Sequence, residues 1–163
     1  MISPDDEKAI RDLGRGLEMA VQSLGSIPSL VGTWELISFT SRLADGSSKV
    51  RWPDSVGRIT YDADGNVTGL LMSGRRNEAD GSSSPAEAEG EFTAYFGRYH
   101  VDVAQGLITH RVIASLSAPR ASGELLRTYE LRDGLLTLGF PAIRNGVSMT
   151  NLLVWKRISP NAL

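Results

Sequence analysis

Residues 107–140 carry the pattern that decides the fold: LITHRVIASLSAPRASGELLRTYELRDGLLTLGF. At its start, Ile108, His110 and Val112 alternate with more polar residues. A period of two is typical of a β-strand, in which successive side chains point to opposite faces. Asp133-Gly134 then separates two further β-rich runs, and this dipeptide favours a tight hairpin turn. The stretch therefore predicts consecutive antiparallel strands.

Similar β-rich runs extend over most of the chain. The eight runs are Thr33–Ser41, Gly57–Asp62, Asn66–Met72, Phe92–Asp102, Leu107–Ser117, Glu124–Leu131, Leu135–Phe140 and Met149–Arg157. Turn-forming pairs such as Asp45-Gly46, Asp64-Gly65 and Asn145-Gly146 separate them. Short strands joined by hairpins favour an all-β antiparallel closed barrel, because closure leaves no exposed sheet edge.

An amphipathic helix is predicted before the barrel. Ser3-Pro4-Asp5 is a helix start, with a capping serine, proline at the first helical position and an acidic first turn. Apolar residues then recur every three or four positions, at Ile10, Leu13, Leu17, Val21 and Leu24. We expect a helical extension over residues 1–29, a barrel over 30–158 and a tail over 159–163. The apolar stripe covers either the barrel or a partner subunit, which leaves a homodimer open.

The segment from Ser73 to Glu91 is polar and too long for a hairpin loop. Within it, Ser84-Pro85-Ala86-Glu87 is a capping box, which predicts a short helix near residues 85–91. The segment is either a lid at the barrel rim or a surface insertion.

Composition excludes several classes of function. The 163-residue chain has a net charge of -2 with scattered Lys and Arg, so we expect no nucleic-acid partner. It has no cysteine and two histidines, so we expect neither a disulfide scaffold nor a metal site. No apolar run reaches ~18 residues and the N-terminus is too polar for a signal peptide, so we expect a cytoplasmic protein without a membrane partner. Phosphate and dinucleotide motifs are absent, so no cofactor is expected.

Several segments in order resemble the bacterial and fungal lipocalin-like domain family of calycin-type barrels. They are LVGTWELISF at 30–39, GRITYDADGNVTGLLM at 57–72, AYFGRYHVD at 94–102, ITHRVIASLSAP at 108–119, GELLRTYEL at 123–131, LLTL at 135–138 and LVWKR at 153–157. The resemblance implies an eight- to ten-stranded barrel with a cavity for small, mostly apolar molecules. It also implies that Trp34 of the first strand packs under Arg157 of the last strand. Some barrels of this shape act as cyclases or isomerases.

Candidate catalytic residues follow from the predicted inner face. Folding the hairpins predicts a row Tyr99–His110–Tyr129 across three strands, with Arg127 beside it. His110 is then the natural acid or base, and a tyrosine donates to a developing oxyanion. Arg127 meets either a ligand oxygen or an internal carboxylate such as Glu35 or Glu130.

The same alternation places Ala114 and Leu116 inside, and Ile37 and Phe39 outside. The expected ligand-binding residues are Leu36, Ser38, Tyr95, Val112, Leu125 and Leu153. The favoured function is binding of a hydrophobic or amphipathic small molecule in the cavity. Two alternatives remain: a cofactor-independent cyclase or isomerase that uses His110 with inward Tyr and Arg, and a structural barrel filled by its own side chains.

Overall fold

The computed structural model describes residues 29–74, 92–116 and 123–158, which form nine β-strands. The strands are β1 Gly32–Leu43, β2 Ser48–Val50, β3 Val56–Tyr61, β4 Asn66–Met72, β5 Phe92–Asp102, β6 Leu107–Ser115, β7 Gly123–Arg132, β8 Leu135–Arg144 and β9 Val147–Arg157. No helix in these ranges has the length and apolar character to cross a membrane. The predicted helices near the N-terminus and at 85–91 lie outside the described residues.

The sheet closes on itself. Strands β3 to β9 pair antiparallel in sequence order, and β1 pairs with β3 on one side and β9 on the other. The short β2 adds to the end of β1, where Thr40 pairs with Val50. The fold is thus a closed eight-stranded antiparallel barrel with one extra strand, which confirms the predicted all-β barrel.

The tight turns are those that the sequence predicts. Asp133 and Gly134 have φ angles of 52° and 75°, and Asn145 and Gly146 have 50° and 76°. Two consecutive residues with positive φ form a type I′ turn, whose twist matches the flanking strands. Each pair therefore joins adjacent strands through two residues, between β7 and β8 and between β8 and β9.

A β-bulge in β1 corrects the predicted inner face of that strand. Leu36 pairs with Trp155 and Ser38 pairs with Val154, so Ile37 is an extra residue. One extra residue inverts the alternation. Phe39, predicted outside, is therefore buried, and Ser38, predicted as a ligand-binding residue, lies on the opposite face from it.

A second bulge has the same effect on β6. Gly97 pairs with Val112 and Phe96 pairs with Ala114, which leaves Ile113 as the extra residue. Before the bulge, Ile108, His110 and Val112 are buried as predicted. After it the prediction is wrong: Ala114 pairs with the exposed Phe96, and Leu116 is 58% exposed.

One end of the barrel is closed by packed side chains. This closed end contains the start of β1 and the end of β9, where Trp34 pairs with Arg157. The Arg157 guanidinium carbon lies 4.1 Å from the centroid of the Trp34 ring, in the predicted stack. It also donates hydrogen bonds to the carbonyls of Ser29 and Val31. The Trp34 indole N–H donates to the Leu30 carbonyl at 3.0 Å, which satisfies a buried donor.

Candidate functional site

A cavity of about 380 Å³ lies inside the barrel. Its apolar and aromatic walls come from β1, β3 to β5, β7 to β9 and the residues before β3: Phe39, Trp52, Ile59, Leu70, Leu71, Phe92, Leu125, Leu138, Phe140, Leu153 and Trp155. Its polar lining side chains are Arg51, Thr93, Tyr95, Arg127 and Asn151. A few polar groups on a mostly apolar wall are typical of a small-molecule site, and this volume is at the small end of the usual range.

The segment between β2 and β3 contributes two lining residues that the sequence analysis missed. Trp52 is 9% exposed and meets Phe39 edge to face, with ring centroids 5.4 Å apart. The Arg51 backbone N–H donates to the Phe39 carbonyl at 2.8 Å, which holds this segment against β1. The sequence feature that could have predicted this is a tryptophan in an otherwise polar loop, because so large an apolar side chain favours burial.

Only some of the predicted ligand-binding residues line the cavity. Tyr95, Leu125 and Leu153 do, together with the predicted catalytic Arg127. Leu36 and Val112 are buried in the barrel but are not part of the cavity wall.

His110 forms the centre of a buried hydrogen-bonded cluster, which we call the tyrosine–histidine cluster: Tyr61, Tyr95 and His110. The Tyr61 hydroxyl lies 2.9 Å from Nε2 of His110, and the Tyr95 hydroxyl lies 2.9 Å from Nδ1. Both His110 and Tyr61 are fully buried. Of the three, only Tyr95 lines the cavity, so it separates the imidazole from any ligand there.

The predicted row Tyr99–His110–Tyr129 is correct in its first pair and wrong in its second. Tyr99 is opposite His110 as predicted, but its hydroxyl donates to the Asp62 carbonyl at 2.8 Å. Leu125, not Tyr129, is opposite His110, and Arg127 is opposite Ile108. The pairing of β6 with β7 is displaced by four residues from the predicted one. An even displacement keeps every side chain on its predicted face, so Tyr129 still points inward but lies further along the strand.

Burial keeps His110 neutral. Burial, and to a smaller extent the positive charge of Arg127, lowers the pKa of His110 from 6.5 to about 3. Burial also raises the pKa of Tyr61 well above its ordinary value. At neutral pH the imidazole of His110 and the phenol of Tyr61 are therefore both uncharged.

The environment of Tyr61 determines which imidazole nitrogen carries the proton. Among the described residues, His110 is the one hydrogen-bond partner of the Tyr61 hydroxyl. A buried O–H without an acceptor is costly, so Tyr61 donates and Nε2 accepts. Nδ1 then bears the proton and donates to the Tyr95 oxygen. Tyr95 consequently gives its own proton to an acceptor other than His110.

A glycine makes room for Tyr95. Gly69 of β4 pairs with Tyr95 of β5, and a Cβ atom at position 69 would lie 2.8 Å from two carbons of the tyrosine ring. Real Cβ atoms do not approach so closely. Gly69 therefore lets the ring lie across β4 while its hydroxyl reaches His110.

The sequence model of the Lipocalin-like domain family matches residues 31–158. The chain belongs to this family. The match covers the whole barrel, from the residue before β1 to the residue after β9. A search of curated proteins finds no match to the chain.

In this lipocalin-like barrel, Arg127 lies at the cavity wall beside an aromatic ring. Its guanidinium carbon is 4.0 Å from the centroid of the Phe140 ring, a cation–π contact. Glu35 and Glu130, the carboxylates predicted as possible internal partners, are both exposed, so they lie outside the barrel. The described residues also contain no group of three His, Asp or Glu side chains arranged to hold a metal ion. The described lining of this lipocalin-like cavity offers apolar contact, hydrogen bonding and the positive charges of Arg51 and Arg127.

Proposed function

We propose that this lipocalin-like barrel binds a small, largely apolar molecule in its cavity. The observation that carries the proposal is the cavity itself: about 380 Å³, with eleven apolar side chains, from Phe39 to Trp155, among the lining residues that the structure describes. Moving apolar surface from water into such a site is favourable by about 25 cal/mol per Å². The third interpretation, a barrel filled by its own side chains, is disfavoured by this volume.

The position of His110 favours binding over direct acid–base catalysis. A general acid or base must come within hydrogen-bond reach of the group that it protonates or deprotonates. His110 is fully buried behind Tyr95, and both of its ring nitrogens are engaged by tyrosines. Its pKa of about 3 also makes it a weak base at neutral pH.

A cofactor-free isomerase or cyclase is the second candidate, and the tyrosine–histidine cluster is the observation that favours it. In that function Tyr95 is the group that meets the substrate, and His110 positions its hydroxyl. Substitution of Tyr95 by Phe would then abolish turnover while leaving substrate affinity nearly unchanged. Loss of affinity without any measurable turnover supports binding alone.

Fluorescence titration with N-phenyl-1-naphthylamine tests the binding function. This dye is apolar and emits strongly when it leaves water. Leu125 lines the cavity, whereas its neighbour Leu126 is 54% exposed on the outer face. We expect Leu125→Trp to fill the cavity and weaken dye binding by at least about tenfold, which corresponds to 1.4 kcal/mol. Leu126→Trp is the matched control and should leave affinity within about twofold. Equal affinities in the two variants would place the dye outside the barrel and contradict the proposal.

A further inference from the structure

The inner face of the sheet continues beyond the cavity, at the end of the barrel opposite the closed end. In the described part of the chain, the pairing of β8 with β7 ends at Gly139, whereas its pairing with β9 continues to Arg144. The β8–β9 hairpin therefore projects past β7 and lies beside the end of β1. Steps of two residues from the buried Asn151 place Met149 and Val147 on the same face as the cavity wall.

A second pocket, which we call the outer pocket, lies on this extension. It has a volume of about 270 Å³. The β1–β2 and β8–β9 hairpins both contribute to its lining, which includes Leu43, Lys49, Arg144, Val147 and Met149. Ser41 also lines it and donates a hydrogen bond at 2.7 Å to the cavity residue Asn151, and Arg51 lines both pockets. The outer pocket thus adjoins the cavity along one face of the sheet.

The outer pocket is more exposed than the cavity and carries an excess of positive charge. Lys49 and Arg144 line it, and both are exposed. Asp45 is the one carboxylate in residues 40–50 and 140–150, and it accepts hydrogen bonds from the backbone N–H and the hydroxyl of Ser47 at 2.9 Å and 2.6 Å. An anion at the outer pocket would meet two cations while it keeps contact with water, which avoids the cost of burying a charge.

We infer that the cavity and the outer pocket together bind a single-chain amphiphile with an anionic head group, its chain inside the barrel and its head beside Lys49 and Arg144. The inference rests on the proposed binding function and adds the class of ligand and its orientation. From Leu153 in the cavity to Val147 in the outer pocket, β9 extends over about 20 Å. An extended chain with a terminal head group can occupy both pockets over this distance, whereas a compact ring system occupies only one.

Displacement of N-phenyl-1-naphthylamine by three ten-carbon amphiphiles tests the inference. They are decanoate, decyltrimethylammonium and the uncharged 1-decanol, each used below the concentration at which it forms aggregates. We expect decanoate to bind at least about tenfold tighter than decyltrimethylammonium at low salt, because the two heads meet the same cations with opposite charge. Sodium chloride at about 0.5 M should reduce this ratio to within about threefold, because salt screens exposed charges.

Neutral variants of the two cations assign the position of the head group. Lys49→Gln and Arg144→Gln should each weaken decanoate binding about threefold, and the double variant about tenfold. Binding of 1-decanol should stay within about twofold in all of them. Arg42→Gln is the matched control: Arg42 is exposed on β1 next to the buried Ser41, so it lies on the opposite face of the sheet. It removes the same charge, yet it should leave decanoate affinity within about twofold.

Failure of this inference is distinguishable from failure of the proposed function. If the dye and 1-decanol bind but the double variant leaves decanoate affinity unchanged, the head is not at the outer pocket, and the inference is overturned while the binding function stands. If Arg42→Gln weakens decanoate as much as Lys49→Gln does, only net charge matters and the inference is also overturned. If neither the dye nor any amphiphile binds, the proposed function fails and the inference fails with it.

Discussion

Acidification should destabilise this barrel because the unfolded chain takes up a proton on His110. The loss of stability should begin at a pH well above the one at which carboxylates take up protons. The unfolded chain binds a proton on this histidine near pH 6.5, whereas burial lowers the pKa in the folded barrel to about 3. Between these values the unfolded state holds one more proton than the folded state. The free energy of unfolding therefore falls as pH falls, by about 1.4 kcal/mol per pH unit. The contribution of neutral His110 is fully present above pH 6.5 and is lost progressively toward pH 3.

The size of the effect is measurable within the range in which the protein is handled. Between about pH 7.5 and about pH 5, the loss comes to about 2 kcal/mol from His110 alone. Hydrogen bonds from Ser47 and Asn66 lower the pKa values of Asp45 and Asp62 below 3.8. The stabilisation from these carboxylates is present above pH 3.8 and is lost only below it, so it does not affect the comparison.

Urea unfolding followed by tryptophan fluorescence at several pH values is the assay. His110→Gln keeps a donor and an acceptor between the two tyrosines but does not titrate, so its stability should vary little over this range. His100→Gln replaces the other histidine, which is exposed on β5, and should retain the wild-type dependence. The same pH dependence in wild type and His110→Gln, or a wild-type loss below about 0.5 kcal/mol, would refute the reasoning.

Three further predictions follow from single contacts. Gly69→Ala should lower the free energy of unfolding by about 1–3 kcal/mol, because the new Cβ atom would overlap the Tyr95 ring. An unchanged stability in urea unfolding would contradict the packing of that ring over Gly69. Arg157→Met should lower the free energy of unfolding by about 1–3 kcal/mol, because the chain loses the cation–π contact with Trp34 and hydrogen bonds to two carbonyls. A melting temperature equal to that of wild type would show that the closed end does not need this contact. The ¹⁵N chemical shifts of His110 should identify Nδ1 as the protonated nitrogen, and in Tyr61→Phe both imidazole tautomers should be populated. A protonated Nε2 in wild type would contradict the assignment, because Tyr95 would then donate to Nδ1 instead of accepting from it.

The barrel and much of its inner face were predictable because a strand has a fixed period. Alternation alone placed Ile108, His110 and Arg127 inside, and the Asp-Gly and Asn-Gly pairs located the hairpins. The same rule failed at Ser38 and Leu116, since each follows a bulge. A single extra residue inverts every later side chain, and neither Ile37 nor Ile113 differs in type from its neighbours.

The site itself was only partly predictable, because it joins strands that are not adjacent. Tyr99 was correctly placed beside His110, since a short turn fixes the register of β5 against β6. Tyr61 was missed because it comes from β3 and meets His110 across the barrel interior, a contact that no neighbouring-strand pattern contains. Its position two residues after Ile59, on the same inward face, was the signal that placed it inside.

The central claim is that the barrel interior holds the ligand, and intermolecular nuclear Overhauser effects test it most directly. The measurement uses ¹³C-labelled protein saturated with unlabelled N-phenyl-1-naphthylamine. We predict cross-peaks from the dye to the methyl groups of Leu125, Leu138 and Leu153, which line the cavity on β7, β8 and β9. Cross-peaks confined to the exposed methyl groups of Ile113 and Leu126 would place the dye on the outer face and contradict the account.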